Sequence, residues 1–415
     1  MQRITLQPRQ KRGSSASYTL RPLVALVAAL AAAGANAAPP LPAGGNFVAG
    51  SGAISSGAQS VTVNQTSSRG VIDWNSFNID SGKSVSFNNG SGATLNRVTG
   101  GDPSSILGKL NATGSVYLIN PQGRASGVVA TGGRFVASTL NVDNDAFMAG
   151  GPLTFTGDGT GTVVNLSKIG SSGSDVILVS RRTVLNQGSI DAPNGTAELA
   201  AGAQVLLQDS SSGQQVFVQT SSHGNVTNSG AISAAQASLQ AADGNVYALA
   251  GNTSAIRATG TVMRDGHVWL VADNGGVRVR NTLAANNADG SGGTVETRAK
   301  QLDITDATVN AGTWTLGAPS VNMGSATRRH ARAQLEQRHI RRCRIHRRSD
   351  DERQRIADAR RDAHGDDRAD GHAGERGRRQ PHLARGFGRH RQRRQRAQPR
   401  RDRLVAEHGP RQRAV

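Results

Sequence analysis

The chain reads as an all-β solenoid, a stack of short strands joined by tight turns, and three observations carry that reading. Short apolar runs recur along most of its length, nearly all bounded by Gly, Asn, Asp, Ser or Pro. No stretch holds a sustained apolar i, i+3, i+4 pattern, so helices do not organise the body. A weak repeat sets Asn186-Gln187-Gly188-Ser189-Ile190-Asp191-Ala192 against Asn228-Ser229-Gly230-Ala231-Ile232-Ser233-Ala234, 42 residues later. Two turns of about 20 residues account for that spacing, and Asn at equivalent corners is positioned to stack into hydrogen-bonded ladders. A β-sandwich or barrel is the structural alternative, since short strands with turn signals describe those folds too.

From the N-terminus, a basic stretch (Arg3, Arg9, Lys11, Arg12, Arg21) precedes the apolar run from Leu23 to Ala35 and the small-residue site Ala35-Asn36-Ala37. That order describes a secretory signal over residues 1–37 with cleavage specified by Ala35 and Ala37. The run is too short and Ala-rich to favour a stable membrane span. Strands are expected at Val61–Val63, Val85–Phe87, Val116–Ile119, Phe135–Ala137, Leu153–Phe155, Val176–Val179, Val205–Leu207 and Val216–Val218. Further strands are expected at Val246–Leu249, Val268–Val271, Val277–Val279 and Trp314–Leu316. About 285 residues at about 20 per turn predict roughly 14 turns and a rod roughly 65–70 Å long. Asn120-Pro121-Gln122-Gly123 has the type I turn signature: Pro presets φ at the second position and Asn can bond the backbone two residues on.

Net charge divides the chain. The whole carries +19, yet residues 326–415 hold 28 Arg, no Lys and 12 acidic groups, a net of +16. The body, 38–325, has 15 basic and 17 acidic residues and is near neutral, so no nucleic-acid partner is expected. The tail has the vocabulary of a GC-rich gene read out of frame: Arg without Lys, interleaved acids, and eight of the ten His beside Ala, Gln and Gly. It begins in mid-turn without a linker, and the expectation is a frameshift product from about Ala326, disordered or helical because Arg, Ala and Gln favour helix. Cys343, the one cysteine, lies in this tail, leaving the body unable to form disulfides.

Several pieces in order support a family resemblance: PAGGNFVAGSGAIS (42–55), VIDWNSFNIDSGKSVSFN (71–88), LNRVTGGDPSSILGKL (95–110), VYLINPQG (116–123) and FVASTLNVDNDAFMAG (135–150). Together they resemble the N-terminal two-partner secretion, or haemagglutination activity, domain of filamentous haemagglutinin-type exoproteins. The resemblance implies a right-handed parallel β-helix with an N-terminal cap, exported through a dedicated outer-membrane barrel transporter to the medium or cell surface. It implies a monomer whose family-level role is adhesion, with host-cell or surface glycans as targets. The transporter-recognition motifs carry over to Asn96, Arg97, Val98 and Gly100, and to Asn120, Pro121, Gln122 and Gly123, where Gln122 replaces the usual Asn.

The competing class is a β-helical polysaccharide lyase or hydrolase, which needs carboxylates, or a base beside a metal, gathered on one face. Outside the tail the His are only His223 and His267, and the acidic residues are scattered. Asp143 and Asp145 lack the rest of a calcium loop, and Gly157-Asp158-Gly159-Thr160-Gly161 lacks the Lys and helix of a phosphate loop. Cys343 and His346 have metal-like spacing without a second pair. No enzyme activity, metal or cofactor is therefore expected.

Overall fold

A computed structural model describes residues 40–208, 216–219, 223–251 and 254–323, with three short strands beyond. The signal reading of residues 1–37 lies outside the described residues, as does Cys343. Met1–Asp350 forms one compact unit, and the second, Asp351–Val415, contains no described residue.

The body is a parallel β-helix with three strands in most turns, each pairing in parallel with its counterparts one turn before and after. The first sheet shows why these residues stack. Val61, Val85, Leu110, Val129, Ile169, Ile190, Ile232, Ile256, Leu283 and Val309 occupy one register column. Every one is buried. An aliphatic side chain pointing inward at each level removes the same apolar strip from water that its neighbours do, so a slip by one residue would expose the whole column. The alternating outward positions Ser84, Lys109 and Lys168 are polar and face solvent or its edge, and Val128 is an exposed apolar exception. The second sheet runs through Arg69–Trp74, Ala93–Val98, Ser115–Ile119 and Phe135–Ser138, and the third starts with Ser104–Ser105 and Arg124–Ser126.

The N-terminal cap is present. Asn46–Ala49 pairs antiparallel with Val71–Asp73, and Gly52–Ser56 pairs antiparallel with Val61–Gln65. This reversal of strand direction covers the first turn, so the stack does not begin with a bare parallel edge.

The reading of the repeat is corrected first. The 42-residue repeat is one turn, not two: Asn186 pairs directly with Asn228, and Ile190 with Ile232. The preceding step, Asn165 to Asn186, takes only 21 residues, so the basic turn length is as expected. The surplus leaves the helix after Ala201 and returns near Asn225. A similar excursion between Ser138 and Thr162 widens an earlier turn. In the first sheet's column, Val61 to Val309 makes ten levels rather than 14, about 43 Å of stacking at about 4.8 Å per level.

Those excursions explain the second correction. Leu153–Thr156, Gln204–Leu207 and Val216–Val218 are strands, but they form a separate antiparallel sheet rather than turns of the helix. Leu153, Phe155, Val205, Leu207 and Val216 pack with Val71, Leu95, Tyr117, Val136 and Ile177 into a second apolar core. Among the described residues one helix occurs, Asn144–Ala149, and Asp143 caps it by accepting a hydrogen bond from the Ala146 amide at 2.9 Å. Phe147 from this helix is fully buried in the same second core.

The described part of the tail is strand, where disorder or helix was expected. Thr327–Arg329, Arg332–Leu335 and Arg344–His346 pair in parallel with Thr308–Asn310, Thr313–Leu316 and Ser320–Asn322.

The predicted asparagine ladder forms. Asn165 Nδ2 donates to Asn186 Oδ1 at 2.8 Å, and Asn186 Nδ2 donates to Asn228 Oδ1 at 2.6 Å. All three side chains are inaccessible to solvent. Asn186→Ala is expected to cost about 2–4 kcal/mol, because it strands one buried donor and one buried acceptor above the lost bonds. Urea unfolding of the variant checks this, and a loss under about 1 kcal/mol would show that the ladder is incidental.

Candidate functional site

The two motif segments lie on successive turns of the second sheet and meet at one corner. Asn96 pairs with Leu118 and Arg97 with Ile119, which puts Val98 beside the start of the Asn120 turn. Each residue has a distinct task there.

Asn96 is buried, with its carboxamide filling the needs of the core. Its Oδ1 accepts from Trp74 Nε1 at 3.0 Å, while its Nδ2 faces the Thr94 and Tyr117 carbonyls at 3.4 and 3.3 Å. Trp74 is one of the largest fully buried side chains, and an indole N–H so placed requires an acceptor. Val98 is buried in the main core. Gly100 permits a close backbone crossing, since a Cβ there would lie 2.1 Å from the Asn75 carbonyl oxygen.

Arg97 points outward and binds the first excursion. Its guanidinium donates to Asn141 Oδ1 at 2.9 Å, the Val142 carbonyl at 2.9 Å and Asn144 Oδ1 at 2.7 Å, with Asp73 Oδ1 at 3.4 Å. One side chain thus fastens the entry of the short helix to the motif strand. Arg69 fastens the other end, donating to the Phe147 carbonyl at 3.0 Å with its guanidinium 5.0 Å above the Phe147 ring.

The turn at 120–123 has the predicted type. Gly123 N donates to the Asn120 carbonyl at 3.0 Å and Gln122 N to Asn120 Oδ1 at 2.9 Å. Asn120 also reaches back one turn, its Nδ2 donating to the Asp102 carbonyl at 3.0 Å and Ser104 Oγ at 2.8 Å. Gly123 sits at φ 93°, in the region that favours glycine. Of the four, Gln122 alone is exposed.

Residues the sequence did not connect to this corner complete it. The glycine-rich segment Gly157–Gly161 lies against the turn: Gly161 N donates to the Pro121 carbonyl at 3.1 Å. A Cβ on Gly161 would lie 2.1 Å from Gly123 N, and one on Gly159 would lie 2.2 Å from the Thr139 carbonyl oxygen. These glycines are there for close backbone approach, and the signal was in the sequence as a glycine at every second position. Asn141 and Asn144, the partners of Arg97, carried no signal beyond their place in a polar loop.

The remaining chemical candidates stay apart. Asp143 is the helix cap and Asp158 pairs with Arg181 at the surface. His267 stacks on Trp269 with centroids 3.7 Å apart, and burial pushes its pKa down to about 4, so it is neutral at neutral pH. Among the described residues no three His, Cys, Asp or Glu side chains gather as a metal site requires.

The family model for the TPS secretion domain, the two-partner secretion module, matches residues 39–278, more than half of the chain. The chain belongs to the TPS secretion domain family. A heme/hemopexin-binding protein of Haemophilus influenzae strain Rd is 32% identical over 219 residues, 48% of this chain and 24% of that protein. A second Haemophilus influenzae heme/hemopexin-binding protein is 47% identical over 68 residues, covering 16% of this chain and 7% of its own length. The chain thus spans about a quarter of the longer match. The crystal structure of the HMW1 secretion domain from Haemophilus influenzae covers 71% of this chain and 84% of its own at a TM-score of 0.56 and 22% identity, a likeness of fold. The TPS secretion domain is the export module of secreted exoproteins that leave through an outer-membrane transporter. Nothing in these matches supports the polysaccharide lyase or hydrolase alternative.

Proposed function

We propose that this chain carries the export module of an exoprotein and that a dedicated outer-membrane transporter reads the corner formed by Asn96–Gly100 and Asn120–Gly123. The observation that carries the proposal is the TPS match over residues 39–278, which contains both motifs. In this reading Asn96, Val98, Asn120 and Gly123, all buried, shape the corner, Arg97 and Pro121 are half-buried beside it, and Gln122 is the exposed motif side chain at its surface. Residues 1–37 act as the signal, with Ala35 and Ala37 marking cleavage, and deliver the chain to the periplasm. The solenoid 38–325 then folds outside the cell, to be released or held at the surface as a monomer, with adhesion to surface glycans as the family-level role. Residues from about Ala326 are read as a frameshift product, which translation of the other two frames beyond codon 325 tests directly.

Export is tested by expressing the chain with and without its transporter. The expected result is protein in the medium or at the cell surface only when the transporter is present. Equal export in its absence would overturn the proposal.

A further inference from the structure

A groove of about 660 Å³ opens beside the second sheet, remote in register from the 120–123 turn. Its floor follows from one register column. Arg69 pairs with Ala93, Ala93 with Ser115, and Arg134 follows on the next turn, donating its amide to Ser115 Oγ at 3.0 Å. Two arginines therefore stand three turns apart, about 14 Å along the stack, with only Ala and Ser between them. The small pair makes the trough, and the long pair closes its ends.

The lining contains hydroxyls, amides and two guanidinium groups, and no carboxylate. The arginines are not equivalent. Arg134 is paired with Asp175 at 2.7 Å, so its charge is offset. Burial alone would lower its pKa, but Tyr117 and Asp175 outweigh that and hold it above its ordinary value. Arg69 makes no ion pair among the described residues; one of its N–H groups goes to the Phe147 carbonyl. The groove thus carries one uncompensated positive charge in a hydroxyl-rich setting, and its volume is that of a small-molecule site.

We propose that this groove binds an acidic sugar, a pyranose bearing one carboxylate, with Arg69 taking the carboxylate and the serine-rich walls taking ring hydroxyls. Guanidinium and carboxylate match in planar, two-point geometry, and a neutral sugar lacks that partner. The proposal rests on the surface-glycan role proposed above and gives it a ligand class, but not on the export role, because it concerns the folded body alone.

Titration calorimetry of the purified full chain with galacturonate tests it, with galactose and acetate as controls. The expected result is saturable galacturonate binding, with galactose and acetate each at least about tenfold weaker. Arg69→Ala should lower galacturonate affinity at least about tenfold. Since Arg69 also holds Phe147, a second variant is needed: Ser91→Glu puts a negative charge on an exposed turn of the wall and should weaken binding similarly with an unchanged urea midpoint. Absence of saturation, equal binding of galactose or acetate, or wild-type affinity in folded Ser91→Glu would each overturn the proposal.

Discussion

Asp175→Ala is expected to destabilise the solenoid by about 3–5 kcal/mol, the largest loss of any single polar substitution considered for this chain. Its carboxylate is only 2% exposed and serves four segments. Oδ2 accepts from Arg134 Nε at 2.9 Å and Nη2 at 2.7 Å, and from Ser174 Oγ at 3.3 Å. Oδ1 accepts from the Thr196 amide at 2.9 Å and lies 3.7 Å from Arg264 Nη1. Three successive turns and a later loop therefore converge on one charge. Alanine would leave a largely buried guanidinium facing no anion and a backbone amide facing no acceptor, and both costs fall on the folded state. Asp175→Asn retains the shape and one acceptor, and it is expected to fall between. Urea unfolding decides the matter, and an Asp175→Ala loss below about 1 kcal/mol would mean that the neighbouring groups regain water when the carboxylate goes.

Asn120→Ala is expected to abolish most export and to cost about 2–4 kcal/mol, while Gln122→Ala is expected to be nearly neutral in stability. Asn120 is fully buried and makes three side-chain hydrogen bonds, two to the previous turn and one inside its own. Gln122 is exposed. The pair separates the shape of the corner from its surface chemistry. Loss of export in Asn120→Ala alone assigns the motif to conformation, consistent with the ordinary role of Pro and Gly in turns. Loss in stable Gln122→Ala assigns the exposed tip to the transporter contact. Export that survives Asn120→Ala would remove this corner from the recognition surface.

Much of this was legible in the chain because a parallel stack repeats one physical requirement. Each level needs an inward aliphatic between turn residues, and Val61, Val85, Leu110 and their successors show it. The Asn120 turn was legible for a similar reason, since its side-chain and φ requirements are local. What stayed hidden was partnership. Leu153–Phe155 and Val205–Leu207 look like any other short alternating strand, and alternation reports burial on one face without saying whether the neighbour is parallel or antiparallel. The helix at Asn144–Ala149 was too short to show a period, although Asp143 and Gly150 marked its ends. Arg97 was recognised as part of a motif, but its contacts with Asn141 and Asn144 span 44 and 47 residues, beyond any local pattern.

Asn186 meets Asn228 with the same pairing that joins Asn165 to Asn186, although one step takes 42 residues and the other 21. The lattice therefore counts turns, not residues. A coil that accepts a doubled step without losing register can carry foreign sequence at the same exit point, between Ala201 and Asn225. A peptide epitope spliced there would be displayed at a fixed height on the stack, and its length would be limited by the passage out of the cell rather than by the architecture that bears it.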